Sequence, residues 1–463
     1  MLRLTLTIAF ASTMQILGTA QRIDAGGYHN LYTCDDSTMQ SWGNNSLGEL
    51  GSGITGISNV PINVVNLSDI AAVSAGLNFS VALRNDGTVW TWGMNITGQL
   101  GNGSSIDYSD IPVQVTSLFG ITAISCGAEH ALALRDDGTV WAWGYNIYGL
   151  LGNGTLDGFS NVPIQVSTIN DIVAIASGNY HSLALESNGN LWAWGYNGGG
   201  PLGYDTPSGY STAPQQVTTL SAVTGIACGN GFSLVLKNDG TLWSFGANNE
   251  GELGNGVSAV NSQNPVQVLN LTNVVSMTAG TYHSLAVKSD GTVWAWGFNL
   301  YGQLGSGTNS DSNVPLQVAG LSGVTAISAG YAHSVVVQDD ASVWSFGYNN
   351  YGQLGVGDFE NRNVPIQISG LCEAVIAVSE KVAESHIHIF PNPSNGKFQL
   401  NIDHVFSRGK YLLEIFNIEG KCIRSEIVSN AVVDFEMKNL ISGIYMLRLS
   451  QNGMVLTERL VIE

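Results

Sequence analysis

An all-β fold, a seven-bladed β-propeller followed by a small β-sandwich, is predicted by three observations. A Trp-x-Trp/Phe-Gly signal followed by Asn-x-x-Gly-x-Leu-Gly recurs along the chain. Its first glycine falls at Gly43, Gly93, Gly144, Gly195, Gly246, Gly297 and Gly347. The spacing is 50 or 51 residues throughout, the length of a four-strand unit that cannot bury its own faces and must stack on copies of itself. Charged residues are scarce (11%) and Gly abundant (57 residues), yet 44% of the chain is hydrophobic, which fits short strands and tight turns rather than disorder.

The elements follow in order. Residues 1–20 read as a secretory signal peptide, with Arg3, an apolar run from Leu4 to Ala11, and Gly18-Thr19-Ala20 before a cut at Gln21. Residues 21–379 hold the propeller of ~51-residue repeats. In the copy starting at Cys126, His130-Ala-Leu-Ala-Leu alternates and Asp136-Asp137-Gly138 turns. Thr139-Val-Trp-Ala-Trp-Gly144 then runs back, an Asp-Gly hairpin. Val162-Pro-Ile-Gln-Val166 reads as a third strand, and Ile172-Val-Ala-Ile-Ala-Ser177 as a fourth. Pro61, Pro112, Pro163, Pro214, Pro265, Pro315 and Pro365 all open that third strand, where a missing N–H is tolerated. Arg22-Ile23-Asp24-Ala25 resembles a truncated fourth strand and Ala374–Ser379 the fourth strand of the last unit, so the closing blade is expected to draw on both termini. A polar linker (380–385) leads to a C-terminal segment, 386–463, whose alternation reads as a sandwich of roughly seven strands.

Charge narrows the partners. Residues 21–379 carry 6 Lys/Arg against 25 Asp/Glu, and 380–463 carry 9 against 10. So acidic a body repels phosphate backbones and anionic lipid, which argues against nucleic acid and against membrane insertion. The five cysteines show no metal spacing. Cys126 and Cys228 share one repeat position and read as small buried residues. A Cys34–Cys372 bridge across the ring closure is left open.

Two resemblances rest on these residues. Ala-Gly-x-x-His (Ala25 to His29, Ala279 to His283, Ala329 to His333), Asn-Asp-Gly-Thr-Val-Trp and Trp-Gly-x-Asn-x-x-Gly-Gln-Leu-Gly resemble the regulator of chromosome condensation repeat over residues 22–379. Phe79 and Phe232 depart from it where histidine is expected. That family includes nucleotide-exchange factors for a small GTPase, photoreceptors and secreted bacterial inhibitors of β-lactamase, so the fold implies no single function. The segment with Ile389-Phe-Pro391-Asn392-Pro393-Ser-Asn-Gly396, Tyr411 to Gly420, Leu440-Ile-Ser-Gly443-Ile-Tyr445 and Arg459-Leu-Val-Ile462 is similar to the C-terminal sorting domain of the type IX secretion system of Bacteroidetes-type bacteria. This resemblance implies export through the periplasm, engagement of the secretion machinery by 386–463, and release or anchoring at the outer-membrane surface.

Chemistry is sparse. His29, His130, His181, His283 and His333 occur once per blade, too dispersed around a ring to converge on a metal, and read as packed structural residues. The Asp-rich turns (Asp86, Asp136, Asp137, Asp239, Asp290, Asp339, Asp340) offer too few clustered oxygens for Ca²⁺ and read as hairpin turns. No cofactor or metal is expected. Successive turns of a meander alternate between faces, so the Ala-Gly-x-x-His turn and the loop after Trp-Gly share one face. That face collects Tyr28, Tyr145, Tyr148, Tyr180, Tyr196, Tyr282, Phe298, Tyr301, Tyr331, Tyr348 and Tyr351, a composition suited to protein or glycan recognition. Tyr148, Tyr180, Tyr282 and Tyr301 are expected to stand exposed, and the tryptophans (Trp141, Trp143 and their equivalents) to be core. The leading expectation is a non-catalytic, monomeric, secreted or surface-attached binding protein. The alternative is a polysaccharide hydrolase or lyase, which needs paired carboxylates, with Glu129, Glu250 and Glu252 as the loop candidates. Exchange activity on a GTPase is disfavoured by export and by the near-equal length of all seven units.

Overall fold

The protein is described by a computed structural model covering residues 22–372 and, beyond them, 387–390, 392, 394, 397–402, 410–417, 421–428, 432–437, 442–451 and 454–462. The signal segment, the linker and Ala374–Ser379 lie outside the described residues. The chain divides into two compact units, Met1–Cys372 and Glu373–Glu463.

The first unit is a propeller of seven four-stranded antiparallel sheets, each built from four consecutive strands. In blade 1 these are β1 (Ile23–Ala25), β2 (His29–Thr33), β3 (Met39–Gly43) and β4 (Ser58–Asn63). The innermost strands, β1 and its six counterparts, line a central channel of about 550 Å³. The phase therefore differs from the sequence reading. Ile172–Ser177, expected as the last strand of one unit, is the first and innermost strand of the next. The proline strand becomes the outermost one, and Pro61 falls where the β3–β4 register shifts between Ser41 and Gly43. An outer edge and a register break both dispense with its N–H.

Neighbouring blades are joined by a repeated polar belt. In blade 2, Ser80 Oγ and Trp92 Nε1 both donate to the Glu49 carbonyl of blade 1 (2.8 and 2.7 Å), while His29 Nε2 of blade 1 lies 2.9 Å from Ser80 Oγ. Because the serine proton goes to the carbonyl, the imidazole must donate, which fixes the Nε2–H tautomer. The belt recurs in His130–Ser182 and His181–Ser233. Phe79 has no proton to give, and the residue aligned with the serine partner in blade 3 is Ala131; Trp143 alone donates to the Gln99 carbonyl there (2.8 Å). The second aromatic residue of each repeat, tryptophan or else Phe245 and Phe346, is thus fully buried. The first, Trp141 and its equivalents, is only half-buried beside the Asp-Gly turn, a correction to the expectation that both are core. Arg135 caps it at 4.6 Å, and Lys237 and Lys288 lie over Trp243 and Trp294 at 5.5 and 5.8 Å.

The Trp-Gly glycine has a double reason. Gly93 has φ 94°, and a Cβ there would sit 2.7 Å from the Asn78 carbonyl oxygen of the neighbouring turn.

Among the described residues ring closure uses no shared blade, contrary to expectation. Blade 7 is completed by its own strands, Val324–Ala329 to Arg362–Gln367. The seam is sealed by continuing the belt: His333 Nε2 meets Asn30 Oδ1 (3.0 Å), and Asn30 Nδ2 and Trp42 Nε1 donate to the Gln353 carbonyl (2.8 and 3.0 Å). Asp24 adds a bracket, accepting from Ser328 Oγ (2.8 Å) on one side and from Ser74 Oγ and the Ala75 N–H on the other (3.0 and 2.9 Å). Ile23, Tyr32 and Trp42 pack with Val335, Val337 and Ile368, and Cys34 and Cys372 form a disulfide. Packing and a covalent latch together close the edge that an open ring would expose.

The second unit pairs a three-stranded sheet (Ile387–Phe390, Lys397–Ile402, Val432–Glu436) with a four-stranded one (Tyr411–Phe416, Cys422–Val428, Gly443–Gln451, Met454–Ile462). Phe398, Leu400, Leu413, Ile415, Phe435, Leu447 and Leu449 form its core, as a two-layer sandwich requires. Asn392 Oδ1 accepts from the Val461 N–H (2.8 Å), tying the start of this unit to its final strand.

Candidate functional site

The loops after Trp-Gly are anchored from within. In blade 1, buried Asn45 accepts from the Leu50 N–H (2.9 Å) and donates to the Ile54 carbonyl (2.6 Å). Asn299 and Asn349 do the same in blades 6 and 7. Two satisfied ends of one amide fix the loop base and leave its first and fourth positions at the rim. The β1–β2 turn joins them: the Asn44 N–H donates to the Tyr28 carbonyl, and the Tyr145 N–H to the Glu129 carbonyl (2.8 and 2.9 Å). The two loop types therefore share a face, and the Asp-Gly turns lie on the other.

On that face the eleven aromatic residues form two groups. Tyr28, Tyr282, Phe298, Tyr301, Tyr331, Tyr348 and Tyr351 make one continuous arc across blades 6, 7 and 1, with centroid separations from 4.7 to 6.3 Å. Tyr148, Tyr180 and Tyr196 make a second patch on blades 3 and 4 at 4.9 to 6.4 Å, and Tyr145 completes it. Gly231 and Ala247 leave blade 5 bare between them. Tyr148, Tyr180, Tyr282 and Tyr301, expected to stand exposed, are half-buried like the other seven. Tilted and edge-to-face contacts within and between neighbouring blades cover part of most of these rings.

Burial, reinforced by the neighbouring phenols, pushes Tyr28 up to about 12. Burial and then Glu129 raise Tyr145 and Tyr180. These phenols stay neutral at physiological pH and offer donors and π faces.

Exposed aliphatic residues were missed by a search for aromatics. Ile96, Ile147 and Leu300, each just after the loop asparagine, are 62%, 42% and 56% exposed, with Ile54 and Ile106 beside them at 67% and 69%. The recurrence of Ile96, Ile147 and Leu300 at one repeat position was the available signal.

The other expected sites resolve into scaffold. All five histidines are fully buried, and desolvation lowers His29 to about 4 and the other four to about 3. Asp86, Asp137, Asp239 and Asp290 accept from the N–H and the hydroxyl of the threonine two residues on, and Asp340 accepts from the Ser342 N–H, closing their own hairpins. These hydrogen bonds hold their carboxyls below the usual range. Among the described residues no group of three His, Cys, Asp or Glu is placed to hold a metal ion. Cys126 and Cys228 are half-buried on innermost strands rather than fully enclosed, and desolvation pushes both thiols up. Of the three candidates for the carboxylate pair a hydrolase would need, Glu252 is buried and accepts from the Glu250 N–H (2.8 Å). Glu129 stands on blade 3 and Glu250 on blade 5.

Known proteins match this architecture. Residues 111–390 match the RCC1-like domain, 39–83 and 86–134 match the regulator of chromosome condensation (RCC1) repeat, and 388–463 match the secretion system C-terminal sorting domain. The ultraviolet-B receptor UVR8 of Arabidopsis thaliana is 30% identical over 298 residues, covering 62% of this chain and 67% of that one. The mitochondrial RCC1 domain-containing protein RUG3 of the same plant is 30% identical, covering 66% and 78%. Human HERC6, a probable E3 ubiquitin-protein ligase, is 36% identical, but the match spans 42% of this chain and only 20% of that protein. Prp20p from Saccharomyces cerevisiae superposes with a TM-score of 0.65 at 23% identity, covering 81% of this chain and 90% of that one. The chain belongs to the RCC1-like propeller family and carries, after its seven blades, a secretion system C-terminal sorting domain.

Proposed function

We propose that this is a secreted or cell-surface binding protein that recognises a protein or glycan through the aromatic face of its propeller, without catalysis. One observation carries the reading. Eleven aromatic residues gather on the loop face that also exposes Ile54, Ile96, Ile106, Ile147 and Leu300, whereas the half-buried tryptophans of the opposite face stand singly beside their turns, three of them under Arg135, Lys237 and Lys288. Rigid aromatic rings beside exposed apolar side chains are what a recognition surface needs. The sorting domain supports delivery to the outer-membrane surface or beyond. The use of Glu252 within its own loop and the separation of Glu129 from Glu250 by a whole blade argue against the hydrolase alternative. Exchange activity has no wedge-like insertion to support it.

The test is glycan-array and surface pull-down screening with the purified chain, repeated with Tyr180→Ala/Tyr282→Ala. Loss of a captured ligand in the variant is expected. Unchanged capture of every ligand found would refute the aromatic-face reading.

A further inference from the structure

Both faces of the propeller carry exposed carboxylates, but its cations are unevenly placed between them. Between residues 22 and 372 there are six cations: Arg22, Arg84, Arg135, Lys237, Lys288 and Arg362. Arg22 and Arg84 pair with Asp35 and with Asp69 and Asp86 on the Asp-Gly side. Arg135, Lys237 and Lys288 lie over the tryptophans there. Arg362 alone reaches the loop face, and its guanidinium is held by Asp358. The loops of that face also carry Asp107, Asp157, Asp205, Asp311 and Glu360, all exposed.

Within this field the blade 3–4 patch has its own carboxylate. Glu129 stands on the turn whose carbonyl accepts from the Tyr145 N–H (2.9 Å), with Thr97 Oγ1 donating to its Oε2 (3.3 Å), and, after burial, its charge raises the Tyr145 and Tyr180 phenols. A negative group among π faces is complementary to an ammonium or guanidinium, which gains from the ring quadrupoles and the carboxylate together. The exposed Ile96 and Ile147 on the flanking loops give a hydrated sugar nothing to bond, but they fit apolar side chains.

We infer that Tyr145, Tyr148, Tyr180 and Tyr196 with Glu129 seat a lysine or arginine side chain of a protein partner whose apolar residues cover the adjoining aliphatic rim. This rests on the aromatic-face reading above and narrows it to a basic polypeptide.

Titration calorimetry of the full chain with a synthetic peptide of alternating arginine and leucine tests it, beside the same peptide with glutamate for arginine. The arginine peptide should bind, more weakly as salt rises, and the glutamate peptide should not. Glu129→Gln and Tyr180→Leu should each weaken binding about tenfold, while Asp136→Asn on the opposite face should change nothing. Glu129→Gln keeps the shape of the side chain, so its result stands even if Tyr180→Leu disturbs packing. Absence of binding, or equal weakening by Asp136→Asn, would overturn the inference. If instead an array oligosaccharide binds and Tyr180→Leu abolishes it, the aromatic face survives and the basic partner does not. If no ligand responds to Tyr180→Leu or Tyr282→Ala, both fall.

Discussion

Acidification should attack the blade interfaces through their histidines. Each of the five is fully buried, and desolvation places its folded pKa at about 4 for His29 and about 3 for the others, against roughly 6.5 in an unfolded chain. Above pH 6.5 both states are neutral and the belt is fully stable. Below it the unfolded chain takes up protons that the folded belt refuses, so stability falls until the folded pKa values are reached. At pH 5 the cost is about 2 kcal/mol per histidine, or about 10 kcal/mol for five, comparable with the whole stability of an ordinary domain. Glu49, Glu252 and Asp24 have raised folded pKa values and act with the opposite sign, so the decisive quantity is a difference between variants. His130→Phe/Ser182→Ala copies the apolar Phe79 and Ala131 positions, and Trp194 still donates to the Leu150 carbonyl (2.8 Å). Urea unfolding followed by tryptophan fluorescence from pH 8 to 5 should show the variant losing about 2 kcal/mol less than the parent. Identical pH profiles for the parent and the variant would refute the reasoning.

Other consequences follow from the seam and the turns. Cys34→Ser/Cys372→Ser removes a link between residues 338 apart in sequence and should cost about 2–5 kcal/mol, read as a lower urea midpoint that reductant no longer shifts. Gly93→Ala forces a Cβ to 2.7 Å from the Asn78 carbonyl at φ 94° and should cost about 2–5 kcal/mol. Gly154→Ala, at φ 87° with nothing within 4 Å, should cost only about 1–2 kcal/mol. Trp92→Phe keeps the packing but loses the bond to the Glu49 carbonyl, about 1 kcal/mol, as the phenylalanines at Phe245 and Phe346 already do without it; Trp92→Ala should cost about 3–5 kcal/mol.

Much of this was legible along the chain. The Trp-Gly period counts the blades, and the alternation of turns assigns the loops to faces because both follow from local strand geometry. The blade phase was not legible, since a four-strand meander repeated in tandem reads the same from any starting strand; only the inter-strand pairing shows that Ile172–Ser177 opens a blade. Nor was the seam, because Asn30 and His333 are 303 residues apart. The same distance hid the burial of the tyrosines: Tyr28 is covered by Tyr331 and Tyr351 across the seam. Trp141 and Trp143 lie on the same side of one strand, so alternation cannot separate them; proximity to the turn leaves only the first partly open.

Tyrosine footprinting tests the central claim most directly. The chain, alone and bound to a partner captured from the cell surface, would be iodinated and each tyrosine read by mass spectrometry. The account predicts protection in the complex at Tyr148, Tyr180, Tyr282 and Tyr301, with Tyr204, half-buried and held by a bond to the Ala193 carbonyl (2.8 Å), unchanged. Equal labelling of the rim tyrosines in the free and bound chain would contradict it.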